Sequence, residues 1–301
     1  MILMGNLNLK GVFILKLKFK FIFALALAVF ISAQGVITAE AKAVDVEQNI
    51  VGVLSRMNMT QEEFLAYMDS ARESGKWTVS YDVEPEPMQF MYCHSFSAMR
   101  SALAVNEADE IMLPKLVGDF LIRTTPGVYT VAGVSRTAEP SCLAFGFRKT
   151  DGAELKDKFD KALKDMKADG TLSRLHSMYL TDEAVKPKPV KIAEFKDAAA
   201  IRIAVTGDLP LIDSDKKDGT PRGFNKALLS EIGKRLHLNI SIVSIAAGTR
   251  AMLLASKRVD AVFWFQFDKG QDKQPDVPDG VILSEPYYEW TENLHIRQQR
   301  F

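Results

Sequence analysis

The chain has 301 residues, and its 38 basic side chains (Lys and Arg) are matched by 38 acidic ones (Asp and Glu), so its formal net charge is zero. A chain without net charge has no long-range field that would draw it to nucleic acid or to an anionic membrane surface. We therefore expect partners that recognise it by shape, and its length suffices for one large or two modest hydrophobic cores.

Residues 1–43 have the pattern of a secretory signal peptide followed by a short leader. Four lysines between residues 10 and 20 precede an uncharged apolar run at residues 21–31, which is shorter than the ~20 residues that a membrane-spanning helix needs. Small residues offer cleavage sites, and we expect cleavage near residues 39–43. No cysteine near the run could carry a lipoprotein anchor. We expect a periplasmic protein, with an uncleaved membrane anchor as the alternative.

The next segment, residues 44–180, alternates predicted helices and strands. Thr60 and Glu63 form a capping box, which predicts a helix that ends at Gly75. Two stretches rich in β-forming residues follow, at residues 77–83 and 88–94. The later elements are predicted helices from Ser97 and Lys115, and predicted strands at residues 110–113, 129–134 and 141–147. This alternation predicts an α/β fold with a parallel sheet.

Two predicted helices and a linker follow these strands. Asp151 and Glu154 are placed to cap a helix that Asp169 and Gly170 end, and a shorter helix is predicted at residues 171–179. Residues 181–198 contain two prolines and charged residues without an apolar period, and they are predicted to be a linker.

The last segment, residues 199–301, again alternates strands and helices. Strands are predicted at residues 201–205, 240–245 and 261–265, with an amphipathic helix at residues 223–238 and a second helix capped by Thr249. The continuous apolar run at residues 261–265 is typical of a strand in the middle of a sheet. Residues 293–296 look like the start of a further strand.

A family resemblance rests on four strings between residues 201 and 288. They read I-R-I-A-V-T-G-D-L-P, G-F-N-K-A-L-L-S-E-I-G-K-R-L, K-R-V-D-A-V-F-W-F and I-L-S-E-P-Y-Y. Together they resemble the first lobe of the type II extracellular solute-binding proteins of family 3, known from amino-acid ABC importers. Residues 95–111 resemble the helix and acidic strand of the second lobe, and residues 143–180 resemble the segment that returns to the first lobe.

The resemblance implies a bilobal periplasmic binding protein fold of type II, with two α/β lobes joined by hinge strands. Here the lobe order is reversed, since residues 44–180 hold the second-lobe-like part and residues 199–301 hold the first-lobe-like part. The two parts are complementary and not redundant, which favours a single circularly permuted domain. The alternatives are a tandem of two truncated copies and a domain-swapped dimer.

By resemblance, the function is to deliver a small molecule, an amino acid or a related polar or aromatic metabolite, to the membrane permease of an ABC transporter. We expect no enzymatic activity, catalytic residue, cofactor or metal. The family's charged clamps for amino acids are missing, because residues 265–282 contain no arginine and Pro114 stands where the second lobe should supply an aspartate. A ligand-sensing or scaffold module of the cell envelope is one alternative. A cyclic-acid dehydratase using Arg250 and Asp208 is another.

Candidate ligand-binding residues follow from the family's cleft positions. Trp264 and Gln266 share one face of a predicted strand and are expected to reach the cleft. Asp208 and Ile212 follow the strand at residues 201–205. Arg250 could supply a cation for an anionic ligand. Two further candidates, Ser95 and Ser97, begin a second-lobe helix whose free amide groups suit an anion.

The cysteines leave two interpretations open. Cys93 and Cys142 are the only two in the chain, and in an exported protein they could form one disulfide. They could equally be reduced residues of the core, because cysteine packs well as a small hydrophobe. The four histidines have no spacing that indicates a metal site or a catalytic triad.

Overall fold

Short runs of β-branched and aromatic residues form the strands of one mixed sheet in the computed structural model, which describes residues 48–81, 87–181, 190–213 and 223–299. The strands are β1 (Asn49–Leu54), β2 (Trp77–Tyr81), β3 (Met88–Cys93), β4 (Glu110–Pro114), β5 (Tyr129–Arg148), β6 (Ala200–Val205), β7 (Asn239–Ser244), β8 (Ala261–Asp268), β9 (Val281–Leu283) and β10 (Tyr288–Gln298). The helices are α1 (Gln61–Glu73), α2 (Phe96–Ala104), α3 (Lys115–Thr124), α4 (Ala153–Ala168), α5 (Thr171–Tyr179), α6 (Phe224–Leu236) and α7 (Arg250–Ala255).

Some predicted segments lie outside these residues. The predicted signal peptide and leader are among them, and so are residues 182–189 of the predicted linker. Within the part of the chain that the structure describes, no helix has the length and apolar character needed to cross a membrane.

The sheet consists of two halves with the same strand order. In the first half, β3, β1 and β4 lie side by side in parallel, followed by β10 and then the start of β5. In the second half, β7, β6 and β8 are parallel, followed by the end of β5 and then β9. Each half therefore contains an antiparallel strand that continues from the other half.

This arrangement confirms the predicted α/β class with two parts joined by shared strands, and it corrects the predicted parallel sheet. The sheet is mixed, since β5 and β10 run antiparallel to their neighbours. The reason is that the chain crosses between the halves twice, and each crossing strand enters its new half against the direction of the parallel strands.

Strand β5 replaces two predicted strands. It is continuous over 20 residues, although Pro140 lies within it. Pro140 lacks a donor, but its carbonyl oxygen accepts a hydrogen bond from the amide of Lys269 at 3.0 Å. The pairing with β10 shifts register between Trp290 and Glu292, so residues 137–140 lie where the two halves meet.

Helix ends follow the predicted caps in some places and not in others. The capping box of Thr60 and Glu63 is present at α1, with both of its reciprocal hydrogen bonds. The predicted cap of α4 by Asp151 is wrong, because Gly152 occupies the cap position and Asp151 forms ion pairs with Arg148 and Lys257. Thr249 precedes α7 but makes no side-chain cap there, since its hydroxyl donates to the carbonyl of Ala246.

A hydrophobic core runs through both halves. In the second half, Phe159 of α4 packs edge-on against Phe145 and Phe147 of β5, with ring centroids 5.0 and 5.2 Å apart. Helices α4 and α5 contact α6 of the second half, which is the first-lobe-like part of the sequence. The segment that follows β5 therefore packs on that part, as the resemblance implied. The thiols of Cys93 and Cys142 are both buried and free, which excludes the disulfide and confirms reduced core cysteines.

Candidate functional site

The carboxyl ends of β1, β4 and β8 meet around a cavity of about 240 Å³. In open α/β sheets, this end of the strands is where ligands bind. Both halves contribute to the lining, and the crossing strands β5 and β10 complete it through Thr137 and Trp290 among others. A ligand in this cavity would therefore contact both halves at once.

Aromatic side chains dominate the lining. The chain contains three tryptophans, and Trp77, Trp264 and Trp290 all line this one cavity. Phe64 and Tyr67 from α1 join them, with their rings stacked 6.2 Å apart. Pockets for small molecules are typically apolar and aromatic with a few placed polar groups.

Trp264 is held by a buried aspartate that sequence reasoning missed. The indole Nε1 donates to Asp213 Oδ2 at 3.0 Å and to Thr206 Oγ1 at 3.1 Å. Asp213 also accepts from the amides of Thr206 and Gly207 and from Asn225 Nδ2. Burial raises the pKa of Asp213, although these hydrogen bonds act in the opposite direction. The network fixes the loop after β6 and the ring that faces the cavity.

Arg250 is fully committed to internal partners. Its guanidinium is 1% exposed and forms a bidentate pair with Asp276, at 2.7 and 2.9 Å. Two further N–H groups donate to the carbonyl oxygens of Trp264 and Ala247, and its charge lies 3.8 Å from the centroid of the Trp264 ring. Arg250 does not line the cavity, so the structure does not place it as a free cation for an anionic ligand.

Gln266 lines the cavity on the same strand as Trp264 and connects the two halves. Its Oε1 accepts a hydrogen bond of 2.7 Å from Nη1 of Arg56. Arg56 lies just after β1, in the first half. The backbone amide of Gln266 donates to Asp276 Oδ2 at 3.0 Å. Asp276 therefore holds Arg250 and also positions the end of β8. The alternation of Trp264 and Gln266 toward one face matches the sequence prediction, and their part in ligand binding stays a prediction.

A second bridge joins α1 to the end of β8. Tyr67 Oη donates to Asp268 Oδ2 at 3.0 Å, and Ser141 Oγ of β5 donates to Oδ1 of the same carboxylate at 2.6 Å. Burial and the nearby negative charge of Asp268 raise the pKa of Tyr67, so its hydroxyl stays protonated and remains a donor. Both carboxylate oxygens of Asp268 are thereby engaged.

Asp208 links the halves at the start of α2. Its Oδ1 accepts a hydrogen bond of 3.0 Å from the amide of Phe96, the first residue of α2. The carboxylate thus occupies a helix N-terminus, an environment that suits negative charge. Burial raises the pKa of Asp208, with the hydrogen bonds from Phe96 and Thr206 acting in the opposite direction.

The remaining predicted residues lie apart from the cavity. Ser95 caps α2, with its hydroxyl accepting from the amide of Ala98, and Ser97 is exposed. Ile212 is fully buried in the core. None of these three belongs to the cavity lining, and neither does Asp208, so the anion site expected at α2 is already filled by an internal carboxylate.

Arg56, Tyr67, Asp268 and Asp276 were not among the predicted site residues. The signal for Arg56 was its position after an apolar run at residues 50–54, which is β1 in the structure. Within the described ranges there is no group of three or more His, Cys, Asp or Glu side chains that could hold a metal ion.

Comparison with known proteins finds distant structural likenesses. No family model matches the sequence, and no curated protein matches it. Similar solved structures include the ligand-binding component of an ABC-type import system from Staphylococcus aureus with zinc bound, with 7% identity, 84% of this chain and 66% of that chain covered, and a TM-score of 0.39. The periplasmic aliphatic sulphonate binding protein from Escherichia coli has 10% identity, coverage of 83% and 65%, and a TM-score of 0.38. A methionine binding protein has 12% identity, coverage of 84% and 83%, and a TM-score of 0.37.

The present chain thus spans just under two thirds of the length of the first two proteins. At such identities and TM-scores, the function has to be argued from this chain's own residues.

Proposed function

We propose that this chain is an exported binding protein that holds a small molecule between its two halves and delivers it to the membrane permease of an ABC transporter. The observation that carries the proposal is the cavity at the carboxyl ends of the strands, which is lined from both halves and from the strands that connect them. A site built this way couples ligand binding to the relative position of the halves.

Three hydrogen-bonded bridges support closure of the halves around a ligand. They are Arg56 with Gln266, Tyr67 with Asp268, and Asp208 with the amide of Phe96. Each pairs a side chain of one half with a group of the other, so separating the halves breaks all three. Among the strands that the structure describes, β5 and β10 are the two that run through both halves, which makes them the natural hinge.

The shared strands also support a single permuted domain. Each half is completed by a strand that continues from the other half of the same chain, so neither half has to borrow one from a second copy. We propose a monomer with the first-lobe-like part at residues 199–301. Light scattering of the purified protein should give the mass of one chain, and a dimer mass would favour the domain-swapped alternative.

A binding role is favoured over the cyclic-acid dehydratase by the state of the two residues that the sequence offered for it, Arg250 to bind a carboxylate and Asp208 as the general acid. Four of the five N–H groups of Arg250 donate to Asp276 and to two carbonyl oxygens, and Asp208 accepts from the amide of Phe96 in α2. A dehydratase would need both groups free to contact its substrate.

The test uses the three cavity tryptophans as probes. The full chain is expressed with its leader, purified from the periplasm, and examined by mass spectrometry for a co-purified small molecule. Tryptophan fluorescence is then followed during a metabolite screen. We expect a saturable fluorescence change, because every tryptophan in the chain lines the cavity.

Two alanines on α1 provide a matched pair of variants. Ala71 lines the cavity, whereas Ala66 on the same helix is exposed. Ala71→Phe should fill the cavity and abolish the signal, and Ala66→Phe should leave it intact. The proposal fails if no molecule co-purifies and no metabolite changes either the fluorescence or the melting temperature.

A further inference from the structure

Unpartnered polar atoms are concentrated at the cavity. Among the described residues, four buried side-chain nitrogen or oxygen atoms lack a hydrogen-bond partner, and three of them belong to cavity residues: Arg56 Nε, Trp77 Nε1 and Thr137 Oγ1. The fourth, Ser230 Oγ, lies in α6. Buried donors without acceptors are costly and rare in folded proteins. Their concentration in one cavity indicates a ligand that supplies the acceptors.

Arg56 carries the cationic part of this arrangement. Its Nη1 donates to a neutral amide oxygen, that of Gln266, and its guanidinium lies 5.3 Å from the centroid of the Phe64 ring. Within the described chain it forms no ion pair, in contrast to Arg250, whose fork is filled by Asp276. A partly buried guanidinium with an unused Nε donor favours an anionic group on the ligand.

Trp77 and Thr137 form a second polar position. They are direct partners in the antiparallel pairing of β2 and β5, so their side chains lie on the same face of the sheet. Trp77 is 3% exposed, and its indole nitrogen can only donate. The hydroxyl of Thr137 can donate or accept. A neutral oxygen of a ligand satisfies both groups.

The lining offers little to a cationic ligand. The oxygens of Asp268 accept from Tyr67 and Ser141, and those of Asp276 accept from Arg250 and from the amide of Gln266. The remaining acidic group of the lining, Glu139, is exposed. The apolar part of the lining includes Phe64, Met68, Met112, Leu113 and Trp290. Two lysines, Lys76 and Lys269, also line the cavity, and Lys269 pairs with Glu289.

We propose that the ligand is a small organic acid with an apolar body and a second oxygen. Its anionic group binds Arg56, its ring or branched chain packs among the aromatic residues, and its second oxygen binds Trp77 and Thr137. This inference rests on the proposed binding function and specifies the ligand class. The cavity of about 240 Å³ lies below the roughly 300–1,000 Å³ of drug-sized sites, which favours a molecule with a single ring.

The experiment uses four probes that share one ring: 4-hydroxyphenylacetate, phenylacetate, 4-hydroxyphenylacetamide and tyramine. Isothermal titration calorimetry of the mature protein, freed of co-purified ligand, should rank 4-hydroxyphenylacetate first. The uncharged amide should bind at least about tenfold more weakly, because it loses a charge-assisted hydrogen bond. Phenylacetate should bind more weakly than its hydroxylated counterpart, and tyramine should not bind.

Variants assign each preference to its residue. Arg56→Gln should make the acid and the amide bind equally, and Thr137→Val should remove the preference for the hydroxyl group. Arg136→Gln is the matched control, since Arg136 precedes Thr137 on β5 but is exposed and pairs with Glu292. It should leave the ranking unchanged, and thermal melting of each variant shows whether it is folded.

The outcomes separate this inference from the proposed function. Equal binding of acid and amide by the parent protein, or an acid affinity that Arg56→Gln leaves unchanged, overturns the inference. The inference is also overturned if the protein binds a neutral or cationic molecule and none of the four probes, although the proposed binding function then survives. If the protein binds no small molecule at all, both fail.

Discussion

Replacing Asp276 by asparagine should leave a buried guanidinium without its counter-charge. Asp276 and Arg250 are each 1% exposed, and both carboxylate oxygens accept from the arginine, at 2.7 and 2.9 Å. Asparagine keeps the shape but removes the charge and presents an NH₂ group to one of the donors. Breaking a buried pair by removing one partner costs about 3–5 kcal/mol.

The expected shift in melting temperature follows from this value. For a domain of this size, 1 kcal/mol corresponds to roughly 2–4 °C, so Asp276→Asn should lower the melting temperature by about 6–20 °C. Differential scanning calorimetry measures the shift. Asp279→Asn is the control, because Asp279 lies in the same segment and is exposed, and it should change the free energy of unfolding by no more than about 0.5 kcal/mol.

One further comparison separates loss of the pair from loss of packing. The double substitution Asp276→Leu with Arg250→Met removes both charges and should recover part of the lost stability, because an apolar pair carries no desolvation penalty. The reasoning is refuted if Asp276→Asn melts within 2 °C of Asp279→Asn, on the roughly 2–4 °C scale above.

Two other predictions concern buried titratable groups. Burial acts to raise the pKa of Glu110, but hydrogen bonding to His295 and other neighbours outweighs it and the pKa is lowered. This carboxylate therefore stabilises the fold above its unfolded pKa of about 4.3, and the contribution is lost as the pH falls through the lower folded value. Glu110→Gln should melt below the parent protein at pH 7, and the gap should narrow at pH 3; a constant gap would contradict this account. Burial also raises the pKa of Cys93 to about 11 and that of Cys142 to about 12, so neither thiol should react with a thiol reagent at pH 8 until denaturant is added, and fast labelling of the native protein would contradict their burial.

Local sequence signals predicted most elements of this fold. The capping box at Thr60 and the apolar stripe of α6 are set by neighbours in sequence, and the structure reproduces both. Strand β1 escaped prediction because the five-residue apolar run at residues 50–54 is too short for periodicity to tell a strand from a helix. Strand β5 was predicted as two strands, since residues 137–140 are held by distant partners: Thr137 pairs with Trp77, the amide of Ala138 donates to the carbonyl of Lys76, and the carbonyl of Pro140 accepts from the amide of Lys269.

The site was less predictable, for the same reason. The shared face of Trp264 and Gln266 follows from the alternation of side chains along a strand. By contrast, Arg56 and Gln266 are 210 residues apart in sequence, and Tyr67 and Asp268 are 201 apart. Arg250 drew attention as a free cation because its partner Asp276 follows 26 residues later, in a segment without a regular pattern.

The strand that the second half contributes to the first also determines when this protein can finish folding. β10 comes after the other nine described strands in the sequence, and it lies between β4 and β5. Until β10 pairs with them, β4 and β5 each present an unpaired strand edge. Such edges are prone to aggregate. Contacts over such long separations also form slowly. A chain of this topology gains from being kept unfolded until all of it has been synthesised, a condition that the proposed export through a membrane would meet.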